Sequence, residues 1–307
     1  MLSYESLKGD ENLKLNKRII SALLVFVMFF SMTVPSFADS SNARAVIGAD
    51  LTQDQVNAVY EAFGVAQGSV TQLTMNNAIE RYYLEGYVDD SIIGTHSISC
   101  VYLELTEEGS GMDVVTSNIS WVTPEMYISA LATVGITDAK IVVAAPVQVS
   151  GTAALAGIYW AYEELTGIKI DDTAKLVSTQ QLTITGDLAK TIGSMDASSV
   201  VDDLKDMLDY TRDYMTDEEI REEIIAIAAQ YNVSLTDKQI DQLISLCRSL
   251  EGLDTDALLE RVKDVQGTLT KVSEAKTRVV GFIQTVRKVV TSVQSFFERI
   301  KDIIGLE

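Results

Sequence analysis

The chain has 307 residues, of which 47% are hydrophobic and 22% charged, a composition typical of a globular protein. Its three prolines and eighteen glycines exclude a disordered chain rich in those residues. The formal net charge of −20 at pH 7 excludes a nucleic-acid-binding surface and disfavours attachment of the whole protein to anionic lipid.

The first segment has the features of a secretory signal peptide. Three basic residues precede an apolar run at 19–30, and Ser36 and Ala38 place small residues before a cleavage site that leaves Asp39 first. The run is shorter than the roughly 20 residues of a spanning helix, so cleavage is favoured over an uncleaved anchor. We therefore predict a signal peptide at 1–38 and a secreted protein, free or held at the cell surface. No transmembrane span is expected in the mature chain.

Residues 39–46 are small and polar and predict a short leader. A capping box formed by Thr52 and Gln55 then starts a helix over 52–63. The next elements predicted by residue type and spacing are a strand at 70–74, a helix at 77–85, and strands at 97–105 and 114–122. The glycine-containing loop 107–111 between the last two strands predicts a β-hairpin.

Thr123, Pro124 and Glu125 have the order of a helix start: a cap, a proline at the first position and an acid in the first turn. A short apolar strand at 141–145 ends at Pro146. Two helices complete the region, at 152–165 and 172–190. Mixed strands and helices in this order predict an α+β (or α/β) domain over 47–193, with a small sheet covered by helices.

The region 194–307 carries helical patterns only and predicts a bundle or a coiled-coil-like region. Three acidic helices are expected near 198–214, 217–231 and 236–251. A long amphipathic helix follows, with an apolar stripe from Val262 to Ile304. Between residues 271 and 301 this segment has seven basic and two acidic residues. It is expected to dock on the acidic helices, to self-associate with another copy, or to act as an envelope component on an anionic surface.

Two cysteines, Cys100 and Cys247, leave two alternatives open: one bridge, or two unpaired buried thiols, which we favour. His96 is the only histidine, which excludes a His-rich zinc site and predicts a surface or strand-end position. The acidic segment 202–213 lacks the glycine and glutamate of an EF-hand loop. No metal site or cofactor is predicted, and the catalytic residues, if any, are unknown.

The most site-like segment is Ser150-Gly151-Thr152, where a strand ends and a helix of small residues begins. Free amides at the helix start, with the two hydroxyls, could hold an anion or a carboxylate. The alternative is that Ser150 or Thr152 caps the helix and the small residues allow close packing. Five aromatic residues could line a carbohydrate or peptide groove, although core and rim positions are more typical of them: Trp121, Tyr127, Tyr159, Trp160 and Tyr162.

Several short runs along the chain resemble the YpuA-like family of secreted Firmicute proteins. They are GADLT at 48–52, YLEG at 83–86, IGT at 93–95, SCVY at 99–102, WVT at 121–123, VAAP at 143–146 and VSGTA at 149–153. The resemblance covers nearly the whole mature chain. It implies a Gram-positive exported protein without an established activity, and it carries over no site residues.

The sequence therefore favours a non-enzymatic binding or assembly protein of the Gram-positive cell envelope or extracellular space. The alternative is a secreted hydrolase or small-ligand-binding protein, with an anion or carboxylate pocket at Ser150-Gly151-Thr152. The sequence does not decide whether the protein is an enzyme.

Overall fold

The structure is a computed structural model and describes residues 42–264, apart from 86, 87, 89, 209 and 212–214 and the side chains of 91 and 92. The predicted signal peptide, and the apolar stripe beyond residue 264, lie outside the described residues. Within the described part, no helix combines the length and the apolar character needed to cross a membrane.

A mixed sheet of five strands forms the centre of the fold. The strands run in the order β2-β1-β3-β5-β4. Their bounds are Ala43–Gly48 (β1), Thr71–Met75 (β2), Cys100–Leu105 (β3), Met112–Ile119 (β4) and Ala139–Val149 (β5). β1 pairs with β2 and β4 with β5 in parallel, whereas β3 is antiparallel to both β1 and β5. Residues 141–144 of β5 are buried and apolar without interruption, as expected for a strand covered on both faces.

Nine helices have both ends defined in the same part of the chain. They are Gln53–Phe63 (α1), Asn77–Leu84 (α2), Asp90–Ile93 (α3), Pro124–Thr133 (α4), Thr152–Thr166 (α5), Asp172–Ile192 (α6), Ser194–Asp206 (α7), Asp217–Gln230 (α8) and Asp237–Glu251 (α9). α1 covers one face of the sheet, while α5 packs against β1 and β3 on the other. A second apolar core joins α6 to α9. The α+β class is confirmed, and the predicted boundary between residues 193 and 194 stays a prediction.

Two capping boxes mark helix starts, whereas Thr123, at the cap position of α4, makes no side-chain cap hydrogen bond. Thr52 Oγ1 accepts from Gln55 N, and the Gln55 side chain accepts from Thr52 N, which is the predicted capping box. Thr236 and Gln239 form the same arrangement at the start of α9. Such a cap stabilises a helix by about 1 kcal/mol, and it needs no tertiary partner.

The predicted hairpin between β3 and β4 is wrong, because β5 lies between them. The intervening loop passes the start of β5 and is held there by Asp138, whose backbone O accepts from Thr106 N at 3.3 Å and whose Oδ1 accepts from Gly111 N at 2.8 Å. The loop crosses two strand spacings, about 10 Å, which six residues span easily. The length of this loop therefore fits either two neighbouring strands or two strands with a third strand between them.

Two other strand predictions need correction. Residues 43–46, expected in a leader, belong to β1, where Ala43 and Ala45 are small enough for α1 to pack closely over them. β5 does not end at Pro146 but runs to Val149. Proline lacks an amide to donate, and the ladder with β4 is irregular at this point. There Asn118 adopts a φ of 58° and its Nδ2 donates to Ala145 O at 2.8 Å.

The chain is helical again over 255–264, where the predicted stripe begins. Leu258 and Val262 are buried in the second core. Arg261 Nη1 donates to Thr133 O at 3.3 Å, so its positive charge lies at the C-terminal end of α4, where a cation is favoured. Val262, the first residue of the predicted stripe, therefore packs inside the same chain.

A buried polar network joins α4, α6 and α7. The Lys205 ammonium donates to Ser129 O at 2.9 Å, to Ser129 Oγ at 3.1 Å and to Asp202 Oδ1 at 3.0 Å. Gln181 Nε2 donates to Ser129 Oγ at 2.8 Å, and Thr133 Oγ1 donates to Gln181 Oε1 at 2.7 Å. All five side chains are buried, and burial lowers the pKa of Lys205. The network is closed to solvent, and its hydrogen bonds link the three helices.

Candidate binding site

The structure places the predicted segment Ser150-Gly151-Thr152 at the start of α5. Gly151 is the cap residue, with a φ of 96° that favours glycine, and neither hydroxyl caps the helix. The expected cap is therefore wrong, whereas the close packing expected with it is present, since a Cβ added at Gly157 would lie 3.2 Å from Val101 Cγ2. Thr152 Oγ1 is buried and has no hydrogen-bond partner among the described residues.

Little space surrounds Gly151. A Cβ added there would lie 2.5 Å from Ile119 Cγ2 and 2.8 Å from Tyr127 Oη, and Tyr127 OH donates to Gly151 O. Gly151 and Thr152 are buried, whereas Ser150 is half-buried. A ligand would have to approach from the Ser150 side, and the binding role of the three residues stays a prediction.

The five aromatic residues considered for a groove do not form one. Tyr127 and Tyr159 are fully buried, and the other three are half-buried and pack against the same core. Trp121 Nε1 donates to Gly186 O at 3.1 Å, which ties the ring to α6. The strongly exposed tyrosines of the described part are instead Tyr82 and Tyr210.

His96 is exposed, in agreement with its predicted surface position. Its Nδ1 lies 3.6 Å from Asp50 Oδ2, while the neighbouring Ser97 Oγ donates to Glu80 Oε1 at 2.7 Å. Ser97 and Glu80 are buried, and burial raises the pKa of Glu80. The serine therefore hydrogen-bonds away from the histidine, to an acid that solvent does not reach.

Both cysteines are unpaired and buried, which confirms the favoured prediction. Burial raises the pKa of Cys100 to about 12 and that of Cys247 to about 11. Because the thiolate is the reactive form, neither thiol is suited to nucleophilic chemistry at neutral pH.

A cavity that the sequence did not reveal lies where α2 ends and α6 begins. Its volume is about 300 Å³. It is lined by Tyr82, Tyr83, Glu85, Asp172, Lys175 and Leu176. Two larger depressions occur elsewhere in the described part, of about 610 Å³ between α8 and α9 and about 420 Å³ beside Arg261. Of these three cavities, only the smallest has aromatic side chains and a buried charged side chain, Lys175, in its lining.

The floor of this cavity is Lys175 together with the buried carboxylate of Glu163, which Lys175 contacts from behind the cavity lining. The carboxylate accepts from Lys169 Nζ at 2.7 Å, from Lys175 Nζ at 3.0 Å and from Ile170 N at 3.1 Å. Burial alone would raise the pKa of Glu163, but these three donors together lower it below the usual value of a glutamate. The side chain is therefore held as a carboxylate.

Lys175 connects the floor to the rim. Its Nζ lies 2.9 Å from Asp172 Oδ1 as well as 3.0 Å from Glu163, and 5.2 Å from the centre of the Tyr83 ring. Burial alone would lower the pKa of Lys175, but the hydrogen bonds to Asp172 and Glu163 raise it. The lysine is therefore held as an ammonium between two carboxylates and an aromatic face.

The wall and rim are open to solvent. Tyr82 is 74% exposed, and its ring meets Tyr83 edge to face, with ring centres 5.0 Å apart. At the rim, the carboxylates of Glu85 and Asp172 are exposed. The arrangement presents an aromatic ring and two carboxylates above a fixed ion pair.

Comparison with known proteins identifies the family of this chain. Residues 47–272 match the family described as "Protein of unknown function (DUF1002)". The chain is also 32% identical over 286 residues to the uncharacterized protein YpuA of Bacillus subtilis (strain 168), a match that covers 89% of this chain and 98% of YpuA. No solved structure matches the chain. The resemblance inferred from the sequence is thus confirmed, and the chain belongs to the YpuA-like DUF1002 family.

Proposed function

We propose that this chain is an exported protein of the Gram-positive envelope or extracellular space, and that it acts by reversible binding at the Tyr82 cavity. Export is supported by the leader pattern in residues 1–38. Binding is supported by one observation: an exposed tyrosine and two rim carboxylates stand over a buried, fully hydrogen-bonded ion pair. A floor already fixed by its own contacts is preorganised for a ligand.

The charges of the floor favour binding over catalysis. A general acid or base works best when its pKa lies near the working pH. Here the pKa of Glu163 is lowered and that of Lys175 is raised, so both are moved away from neutrality. These two groups therefore supply a fixed pair of charges beneath the cavity.

Export is tested by expressing the full chain in a Gram-positive host and sequencing the N-terminus of the accumulated protein. We expect a chain that begins at Asp39, in the medium or the envelope fraction. An intact chain that begins at Met1 in the cytosol contradicts this part of the proposal.

Binding is tested by retention on isolated envelope material. We expect Tyr82→Ala to reduce retention, while Tyr210→Ala serves as the matched control because Tyr210 is 70% exposed and lines none of the cavities described above. Equal retention of the two variants and the wild type would contradict binding at this cavity.

The second candidate is a hydrolase or small-ligand-binding protein that uses the start of α5. It is favoured by the buried Thr152 hydroxyl, which lacks a hydrogen-bond partner in the described part of the chain. Acetate and phosphate are suitable probes, with the amide resonances of Gly151 and Thr152 as the readout. Binding that weakens in Ser150→Ala or Thr152→Val supports this candidate, and unchanged resonances at high probe concentration reject it.

A further inference from the structure

We infer that the Tyr82 cavity binds an alkylammonium group, either a free organic cation or the cationic head of a larger molecule. The inference rests on the proposed function and names the ligand class of the same site. It follows from the charges around the cavity, from the exposed aromatic ring, and from an ammonium that the protein itself already places nearby.

Within the described part of the chain, the Glu85 carboxylate at the rim of the cavity has only a distant cationic partner. Arg81 Nη1 lies 2.8 Å from Asp90 Oδ1 but 3.8 Å from Glu85 Oε1. Lys169 and Lys175 both bond to Glu163, and Lys175 bonds to Asp172 as well. Among the described residues, the ion pairs around the cavity thus join four carboxylates (Glu85, Asp90, Glu163 and Asp172) to three cationic groups (Arg81, Lys169 and Lys175). The unbalanced charge is negative and lies at the open rim, where a cation is attracted and an anion repelled.

The Lys175 ammonium in the floor is held by an aromatic ring and two carboxylates. Lys175 Nζ lies 5.2 Å from the centre of the Tyr83 ring and within 3.0 Å of carboxylates on two sides. Tyr82 offers a second ring beside the first, with Glu85 and Asp172 at the rim. Aromatic faces attract alkylammonium ions through the negative charge of the ring face. A ligand cation over Tyr82 would make the same kinds of contact that Lys175 makes over Tyr83.

The size of the cavity sets the size of the ligand. About 300 Å³ is the lower limit of typical ligand pockets, so the cavity accommodates a head group of a few heavy atoms. Because Tyr82 is largely exposed, a longer molecule attached to that group can extend into solvent. The cavity therefore selects for charge and compactness.

The test uses two probes of the same shape and different charge, choline and 3,3-dimethyl-1-butanol. They are titrated at constant ionic strength into the protein purified in the form in which its host accumulates it. Nuclear magnetic resonance of labelled tyrosine rings reports binding, and Tyr82→Phe identifies the Tyr82 signal. We expect choline to shift the Tyr82 and Tyr83 signals and to bind roughly three- to thirty-fold more tightly than the neutral alcohol.

Matched variants locate the effect. Tyr82→Ala should weaken choline binding by about two- to five-fold, Tyr82→Phe should retain it, and Tyr210→Ala should leave it unchanged. Glu85→Gln should also weaken binding, and the loss should shrink as salt is added. Because Tyr82 and Glu85 are exposed, these changes leave the core intact, which thermal unfolding verifies.

The outcomes separate this inference from the proposed function. Equal binding of choline and the alcohol, or no binding of choline, overturns the cation assignment. If envelope material is still retained in a Tyr82-dependent way, the binding function survives and only its ligand class is wrong. If neither choline nor envelope retention depends on Tyr82, both proposals fail.

Discussion

Replacing Lys205 by methionine tests how strongly the buried network holds α4, α6 and α7 together. The change removes three hydrogen bonds, to Ser129 O, Ser129 Oγ and Asp202 Oδ1. It also leaves the Asp202 carboxylate buried without its cation, and Asp202 Oδ2 already has no partner in the described part of the structure. Removing one member of a buried ion pair costs about 3–5 kcal/mol. We therefore expect Lys205→Met to lower the free energy of unfolding by about that amount.

The assay is urea and thermal unfolding of the wild type and three variants. Lys190→Met is the matched control, because Lys190 pairs with Asp187 at the same spacing of three residues but in solvent. That exposed pair should contribute no more than about 1 kcal/mol. The double variant Lys205→Met with Asp202→Leu should recover much of the loss, since it leaves no buried charge. A cost for Lys205→Met no larger than that for Lys190→Met would refute the reasoning.

Three further substitutions test how stability depends on pH, on a close backbone contact and on a helix cap. Glu163→Gln should destabilise the protein at neutral pH, and the difference from wild type should shrink as the pH falls below about 4. The sign follows because the pKa of Glu163 is lower in the folded chain than in the unfolded chain. Its carboxylate therefore stabilises the fold at a pH above the pKa of the unfolded chain, and this stabilisation is lost when the carboxylate is protonated. Unfolding measured at pH 7, 4 and 2.5 checks this expectation. Gly48→Ala should cost about 1–3 kcal/mol in urea unfolding, because its Cβ would lie 2.2 Å from Ser97 O. Thr52→Ala should cost about 1 kcal/mol by the same measurement, through loss of the capping box with Gln55.

The sequence was a good guide where a local signal carries the information. The helix starts at Thr52 and Thr236 depend on residues three apart, and both capping boxes are present. β1 carries no such signal. Ala43 and Ala45 are as small as the residues of a leader, and only their burial under α1 shows that they belong to a core strand. Strand order is likewise invisible locally, since the β3–β4 loop suits either a hairpin or the observed arrangement.

The candidate site could not be read from the sequence for a related reason. Tyr83, Glu163 and Lys175 are far apart in the chain, and only the packing of α2 against α5 and α6 brings them together. One signal was available. In a helix whose buried face includes Tyr83 and Leu84, the adjacent Tyr82 has to point outward, and an exposed tyrosine at a helix end is a reason to look for a ligand.

The pairing of two lysines with Glu163 is the strongest reason to regard the cavity as a preorganised binding site. The chain has 44 acidic and only 24 basic residues, yet one buried carboxylate, Glu163, has two lysines. Glu80 is buried as well, and burial moves its pKa in the opposite direction, upward. Lys169 and Lys175 thus fix the charge of the floor and the position of the chain that carries it. Since the floor is set before any ligand arrives, differences in ligand affinity should come from the rim, and most directly from Tyr82.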